Sequence, residues 1–363
     1  MADVLYFSRD SKIYIEIGST VWELPVLDGF SFSQATNTSE VTLSEMSAAD
    51  GTSRRARQMF TDSYAPAEWS FGTYVRPFKS TGSGNADSTA GNIHAVEEVL
   101  WALLTGSGTY TDGSFEEGVA STSSALNIDF ADSNKSVLGT CNIYFAMNGK
   151  CAGVTKNVIY KISDCCVNEA GLDFDIDGIT SINWSGFGSV ISEVTEIPTV
   201  TITEGISLTN NFIRNRITNL NLVGPEAITY DVVLTGGSIT ISNNMTFLTP
   251  ETLGTVNQPL GHITGTRAVS GTFMAYLNSA TNSTADLFEN IIEDTSTITN
   301  SFDLEFNIGG TSTGTPRIQF KLPTCHLEVP SHSIEDVISV ETNFTGLPDC
   351  IDNTNELTIK YLY

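Results

Sequence analysis

The sequence predicts a mainly β protein built from two copies of one domain, each copy carrying a single helix. Three observations lead there. Period-two alternation runs through most of the chain, helical periodicity occurs at only two places, and the same ordered segments return about two hundred residues later.

The alternation is plainest in "GLDFDIDGI", where Leu172, Phe174 and Ile176 interleave with Asp173, Asp175 and Asp177. "ALNIDF" sets Leu126, Ile128 and Phe130 against Asn127 and Asp129, and "FDLEFNI" sets Leu304, Phe306 and Ile308 against Glu305 and Asn307. Each reads as a strand with one face in a core and the other in water. The two helical stretches are "HAVEEVLWALLTG", with Val99, Leu100, Leu103 and Leu104 on one face and Gly106 as a stop, and "STADLFENIIED", with Leu287, Phe288, Ile291 and Ile292 at the same spacing.

The repeat pairs six segments in order. "FSRDSKIYIEIG" matches "FIRNRITNLNLVG", "WELPVLDGFSFS" matches "YDVVLTGGSITIS", and "GTYVRPF" matches "GTFMAYL". The two helices follow, then "LNIDF" with "FDLEF", and finally "DGITSINWSGFG" with "EDVISVETNFTGL". Preserved order points to duplication: a first copy over 1–195, a linker over 196–211, a second copy over 212–350 and a C-terminal tail over 351–363. Fusing two domains that normally neighbour each other in a ring halves the chains the ring needs.

The chain has 363 residues, 40% of them hydrophobic, enough to bury the cores of two domains. No apolar run approaches the roughly 20 residues that cross a bilayer. The start lacks a basic flank followed by an apolar stretch, so folding in a cytoplasm is expected. Against 17 Lys and Arg stand 42 Asp and Glu, a formal charge of −25. Such a surface repels phosphate, whose binding requires basic side chains to displace counterions. Solubility alone is the simpler reading of that charge.

Motifs for chemistry are sparse. "DFDIDG" opens like a calcium loop, but its twelfth position is Trp184 where a carboxylate belongs, and the segment alternates like a strand. His94, His262, His326 and His332 form no zinc-protease spacing, and no Gly-x-Ser-x-Gly elbow is present. Cys141, Cys151, Cys165, Cys166, Cys325 and Cys350 make no C-x-x-C pair and are expected to be free, buried thiols. The sequence therefore names no catalytic residue, metal site or cofactor. "SRRARQ" concentrates Arg54, Arg55 and Arg57, which suit an acidic patch on another subunit through bidentate pairing and equally suit a solvated loop.

At "LDGFSFSQATNTSEVTLSEM", followed by "RRARQMFTDSYAPAEWSFGTYVRPF", the chain resembles the major tail tube proteins of long-tailed (siphovirus) bacteriophages. The resemblance is to the subgroup with two tube domains per chain, and "TGGSITISNNMTFLTPETLG" in the second copy extends it over roughly residues 1–350. It implies β-sandwich domains, each with a flanking helix and each lending strands to a closed inner β-barrel. It further implies homotrimeric, pseudo-hexameric rings, stacked into a hollow tube in the virion and assembled in the host cytoplasm. Implied partners are a tape measure protein in the bore, tail terminator and distal tail proteins at the ends, and phage DNA in transit without specific binding. On that reading Asp129, Asp173, Asp175, Asp177 and Glu305 are candidates for the lining of the bore. Arg54, Arg55 and Arg57 are candidates for contacts between subunits or rings, as are the polar loops over 44–63 and 244–265. Alternatives are another ring component of the same fold, a β-rich adhesin, or a carbohydrate-active enzyme with distant paired carboxylates.

Overall fold

The computed structural model describes residues 5–41, 57–82, 88–106, 108–111, 114–131, 137–151, 154–199, 204–225, 227–249, 259–293, 301–334 and 336–363. The first half opens with strands β1 (Tyr6–Ile17), β2 (Thr20–Leu24), β3 (Ser31–Val41), β4 (Gln58–Tyr74), β5 (Pro77–Lys79) and β6 (Ile93–Ala95), then helix α1 (Glu98–Thr105). It continues through β7 (Tyr110–Thr111), β8 (Ser114–Phe115), β9 (Val119–Ser121), β10 (Leu126–Asp129), β11 (Cys141–Cys151), β12 (Val154–Asp175), β13 (Ser181–Gly188) and β14 (Ile191–Val194). The second half has β15 (Asn219–Val223), β16 (Thr229–Tyr230), β17 (Leu234–Ser242), β18 (Thr246–Leu248), β19 (Gly261–Ile263) and β20 (Ala268–Tyr276), then α2 (Thr284–Glu293). It ends with β21 (Phe302–Ile308), β22 (Arg317–Leu327), β23 (Ser331–Ser333), β24 (Ser339–Gly346) and β25 (Thr358–Leu362).

Each half is a two-layer sandwich, and one long strand serves both layers. The N-terminal part of β12 pairs with β11 and β14 in the back sheet, while its C-terminal part pairs with β13 and β17 in the front sheet. The switch falls at Asp164, whose φ of 52° places it in the left-handed region that Asp tolerates better than most residues. The adjacent Cys165 and Cys166 are both buried because both faces of the strand are covered there, Cys165 in the main core and Cys166 on the other side against Leu138 and Met245. Cys141 and Cys325 are also buried, as expected, whereas Cys350 is exposed on a turn.

The front sheet runs unbroken through both halves. Its antiparallel order is β3, β4, β13, β12, β17, β20, β24, and then the C-terminal end of β22 with β23. Alternation sends Trp69, Phe71, Trp184, Leu172, Ile239, Val269, Phe273 and Phe344 into one hydrophobic core shared by the two halves. Two glycines admit the larger rings. Gly186 stands opposite Trp69, and Gly271 opposite Phe344, each where an added Cβ would collide with a neighbouring backbone oxygen.

The pairing pattern sustains the duplication and corrects it in detail. β1 pairs with β11 and β2 as β15 pairs with β21 and β16. β21 is therefore the counterpart of β11, and the match of "LNIDF" to "FDLEF" does not hold; β10 instead pairs with β9 and β25. "GTY" and "GTF" are out of register by one residue. Trp69 opposes Gly186 and Val269 opposes the equivalent Gly346, which aligns Gly72 with Thr272. The C-terminal residues set apart as a tail contain β25, which flanks β22 as β14 flanks β12.

The helices differ because their surroundings differ. Every residue of α1 is buried, since β9, β10, β12 and, from the second half, β25 surround it. α2 buries Leu287 and Ile291 but leaves Ile292 exposed, the ordinary pattern of a surface helix. Ile176, expected in the core, is exposed because β12 ends one residue earlier.

The glycines supply a contrast to test. Gly186→Ala forces its methyl against the Cys166 carbonyl oxygen and the Trp69 ring, and urea denaturation is expected to show a loss of several kcal/mol. Gly171→Ala meets nothing within 4 Å and is expected to be neutral or to stabilise by about 0.5 kcal/mol through the unfolded chain. Equal effects of the two substitutions would contradict this packing.

Candidate functional site

Among the described residues no pocket lined by a catalytic constellation stands out; the built features are a sheet face, its two edges and a buried seam. The face is the side of the front sheet turned away from the core. Its strand positions carry hydroxyls and amides, such as Ser70, Ser185, Thr240, Ser270, Asn183 and Asn343, with the carboxylates Glu68, Glu169, Asp173, Asp175 and Glu341 among them and Glu328 just past the end of β22. None of the residues interleaved with the core positions on β4, β12, β13, β17, β20 and β24 within these pairings is Lys or Arg. The face also carries apolar side chains such as Met274, but within these pairings no cation masks its acids at short range.

The structure divides the five acidic candidates. Asp173 and Asp175 stand exposed on this face. Asp177 lies just past the end of β12, exposed, 3.1 Å from Arg216. Asp129 on β10 and Glu305 on β21 belong to back-sheet strands, where Glu305 accepts a hydrogen bond from Asn307 Nδ2 at 2.9 Å. Glu68, Glu169, Glu328 and Glu341 were not singled out in the sequence. Glu169 shares β12 with Asp173, and the sheet order brings Glu68, Glu328 and Glu341 onto the same face.

The edges of the front sheet end in single pairings. Among the described residues β3 pairs only with β4, and β23 only with β24. Beyond Gln34, β3 and β4 continue as an exposed hairpin arm, along which Arg57 meets Glu40 at 3.2 Å. β18 and β19 form the corresponding arm of the second half, and strand directions place both arms at the same end of the sheet. Arg54 and Arg55 lie outside the described residues.

Where the two halves meet, a polar network is sealed inside the core. The fully buried Glu97, at the start of α1, accepts hydrogen bonds from Tyr361 Oη at 2.7 Å and from the Arg76 backbone N–H at 3.2 Å. Tyr361 Oη in turn accepts from Trp101 Nε1 at 2.6 Å. The Arg76 guanidinium donates to the carbonyls of Gly205, Ile206 and Leu208 and to Asn211, clamping the segment that links the halves, and lies over the Phe212 ring. One turn away His94 Nδ1 lies 2.9 Å from Glu98, and His94 Nε2 lies 3.1 Å from Ser121 Oγ. The sequence signal for this seam was two consecutive glutamates opening an otherwise apolar helix.

No protein-family model matches the chain. The duplicated sandwich, with its similarity along nearly the full length to a curated relative, supports a structural tail tube protein of the siphophage type. That relative is tail tube protein pb6 of Escherichia phage T5, 27% identical over 367 aligned residues, which cover 97% of this chain and 75% of the relative.

The seam makes stability depend on pH. Burial raises the Glu97 carboxyl from its ordinary 4.5 to about 7, with the hydrogen bonds from Tyr361 and Arg76 pulling the other way. Its folded-state pKa lies above the unfolded one, so the contribution is full below about pH 4.5 and is lost as pH rises through about 7. Glu97→Gln is therefore expected to flatten the stability profile over this window and to gain, relative to wild type, at most on the order of 3 kcal/mol at pH 8. Parallel urea-midpoint profiles for the two proteins would remove Glu97 as the titrating group.

Proposed function

We propose that the chain is the subunit of the tail tube, with three copies closing a ring, rings stacking in the virion, and the bore delivering DNA to the host cell. The observation that carries this reading is the seam between β12 and β17. There, one half of the chain adds its front sheet to the other half in a fixed register, with Gly171 opposite Thr240. Because the halves are copies, the same two edges recur unmatched at the flanks of the chain: β3 on one side, Glu328 and β23 on the other. By equivalence Glu328 takes the place of Gly171, since its N–H bonds to the Asn343 carbonyl where Gly171 opposes Asn183. Ser31 takes the place of Thr240, since Ser31 pairs with Ser70 as Thr240 pairs with Ser270. Joining Glu328 of one chain to Ser31 of the next repeats the internal seam, a head-to-tail contact that closes into a ring.

Eight front-sheet strands per chain give about 24 in three chains. With ~4.8 Å between strands and ~40° tilt, the backbone circle is roughly 150 Å around and roughly 48 Å across. Side chains narrow that and still leave room for a DNA duplex. Turned inward, the face bearing Glu68, Asp173 and Glu341 repels phosphate, so DNA slides past it without binding. Asp129 and Glu305, on back-sheet strands, then belong to the outer wall. Closure also removes open edges that would otherwise recruit other strands. A tape measure protein in the bore, and terminator and distal tail proteins at the ends, complete the assembly. The work of such a protein is polymerisation, with no catalytic step assigned to it.

Electron microscopy of tubes grown from purified protein tests the ring, with the expected map showing threefold rings and Glu68, Asp173 and Glu341 on the inner wall. Oxidised Ser31→Cys/Glu328→Cys tubes are expected to yield covalent species ending at the closed trimer. Sixfold rings, or no crosslink between these positions, would reject the seam-copy model.

The two hairpin arms and the arginines at the first of them are proposed to make contacts between rings. Arg54→Glu/Arg55→Glu/Arg57→Glu protein is expected to stay soluble and form rings without growing tubes. Tubes of normal length from that variant, seen by microscopy, would release the arginines from this role.

A further inference from the structure

We propose that the loop between β24 and β25, residues 347–357, is a key that docks on the opposite end of a chain in the next ring and fixes the rotation between rings. This rests on the tube reading. The first half crosses from β13 to β14 through residues 189–190 alone, while the second half inserts this loop at the equivalent place. It is therefore present once per chain and breaks the likeness of the two copies.

The loop is built to hold one side chain out. Asn353 Nδ2 donates to Asp349 Oδ1 at 2.7 Å, Asp349 N to Asn355 Oδ1 at 3.2 Å, and Asn353 N to the Cys350 carbonyl at 3.0 Å. On this tied turn Ile351 is 95% exposed, the most exposed large apolar residue described. A preordered loop loses little conformational entropy when its tip is buried. The tip is flanked by Asp349 and Asp352, at the same end of the sheet as the two hairpin arms.

The other end of the sheet carries the complement. Ile176, Ile179 and Ile217 are exposed together there, because Ile179 bridges to Arg214 and the Asn215 N–H bonds to the Gly178 carbonyl. Beside them is a small cleft of about 60 Å³ lined in part by Phe174, Leu234 and Arg216. Arg214 and Arg216, both exposed, place two of the chain's 17 basic residues at this corner, with Asp177 already engaging Arg216. An apolar tip between carboxylates thus faces an apolar patch between guanidiniums. The two features sit at opposite ends of one chain, so neither reaches the other within it. The fitting partner is a second copy, and a head-to-tail contact along the axis propagates without closing. In a ring of three chains the key occurs three times, so it admits only rotations that threefold symmetry repeats.

Cysteine crosslinking and a charge insertion test this together. In a Cys350→Ser background, oxidised Ile351→Cys/Ile179→Cys tubes are expected to give covalent ladders extending beyond three chains, absent from unstacked rings. Ile351→Asp, at a site too exposed to threaten the fold, is expected to leave rings intact and abolish tubes, with Ile351→Leu restoring them. Ile351→Asp tubes of normal length and ring rotation, or tubes of the double-cysteine protein without ladders, would overturn the key while leaving the tube reading intact. A wild-type chain that forms no stacked rings would sink the tube reading and the key with it.

Discussion

The pairing of β12 with β17 is the constraint on which the rest of the molecule depends. A strand serving two sheets must turn between them, and the turn at Asp164 lets the N-terminal part of β12 close the first sandwich while its C-terminal part faces the second. The register is not free to slide. Ala170 and Leu172 must face the core beside Ile241 and Ile239, and a slip of one residue would put Asp173 there. Once that register is set, both halves share one core and one polar face.

The seam also decides which polar groups are buried. Covering α1 from the second half takes water away from Glu97, so every hydrogen bond to it has to come from the protein, and Tyr361 and Arg76 supply them. Arg76 reaches back to the linker carbonyls, so the segment between the halves is fixed by the same network that their contact isolates. α2 meets His332 of β23 and Tyr230 of β16 on one side only, and among the described residues it keeps an exposed face. The difference between the helices follows from position in the chain more than from their own sequences.

Much of this was legible in the residues, and the failures are instructive. Period-two alternation placed Leu126, Ile128, Leu304 and Phe306 in the core correctly, because alternation reports burial directly. It could not say which strand lies beside which, so "LNIDF" was matched to a strand with another partner and "GTY" to "GTF" one residue out of register. Letter similarity tracks composition, whereas the sheet is set by which side chain faces the core. The same limit governed the acids: alternation found Asp129, Asp173 and Glu305 equally well, and only sheet order separates front from back. Glu97 and Tyr361 are 264 positions apart, a pairing no local pattern reveals.

Charge segregation joins the fold to the task. A chain at −25 could spread its acids evenly, yet the core-averted positions of the front sheet hold acids without bases, while Arg57, Arg214 and Arg216 sit on an arm and at the opposite end. A bore only has to avoid holding its cargo, and that requires the absence of cations along its wall more than any particular carboxylate. Contacts between rings require the reverse, local attraction between unlike surfaces. On the proposed tube reading, bases at the ends and acids along the front-sheet face meet both requirements with a single duplicated sheet.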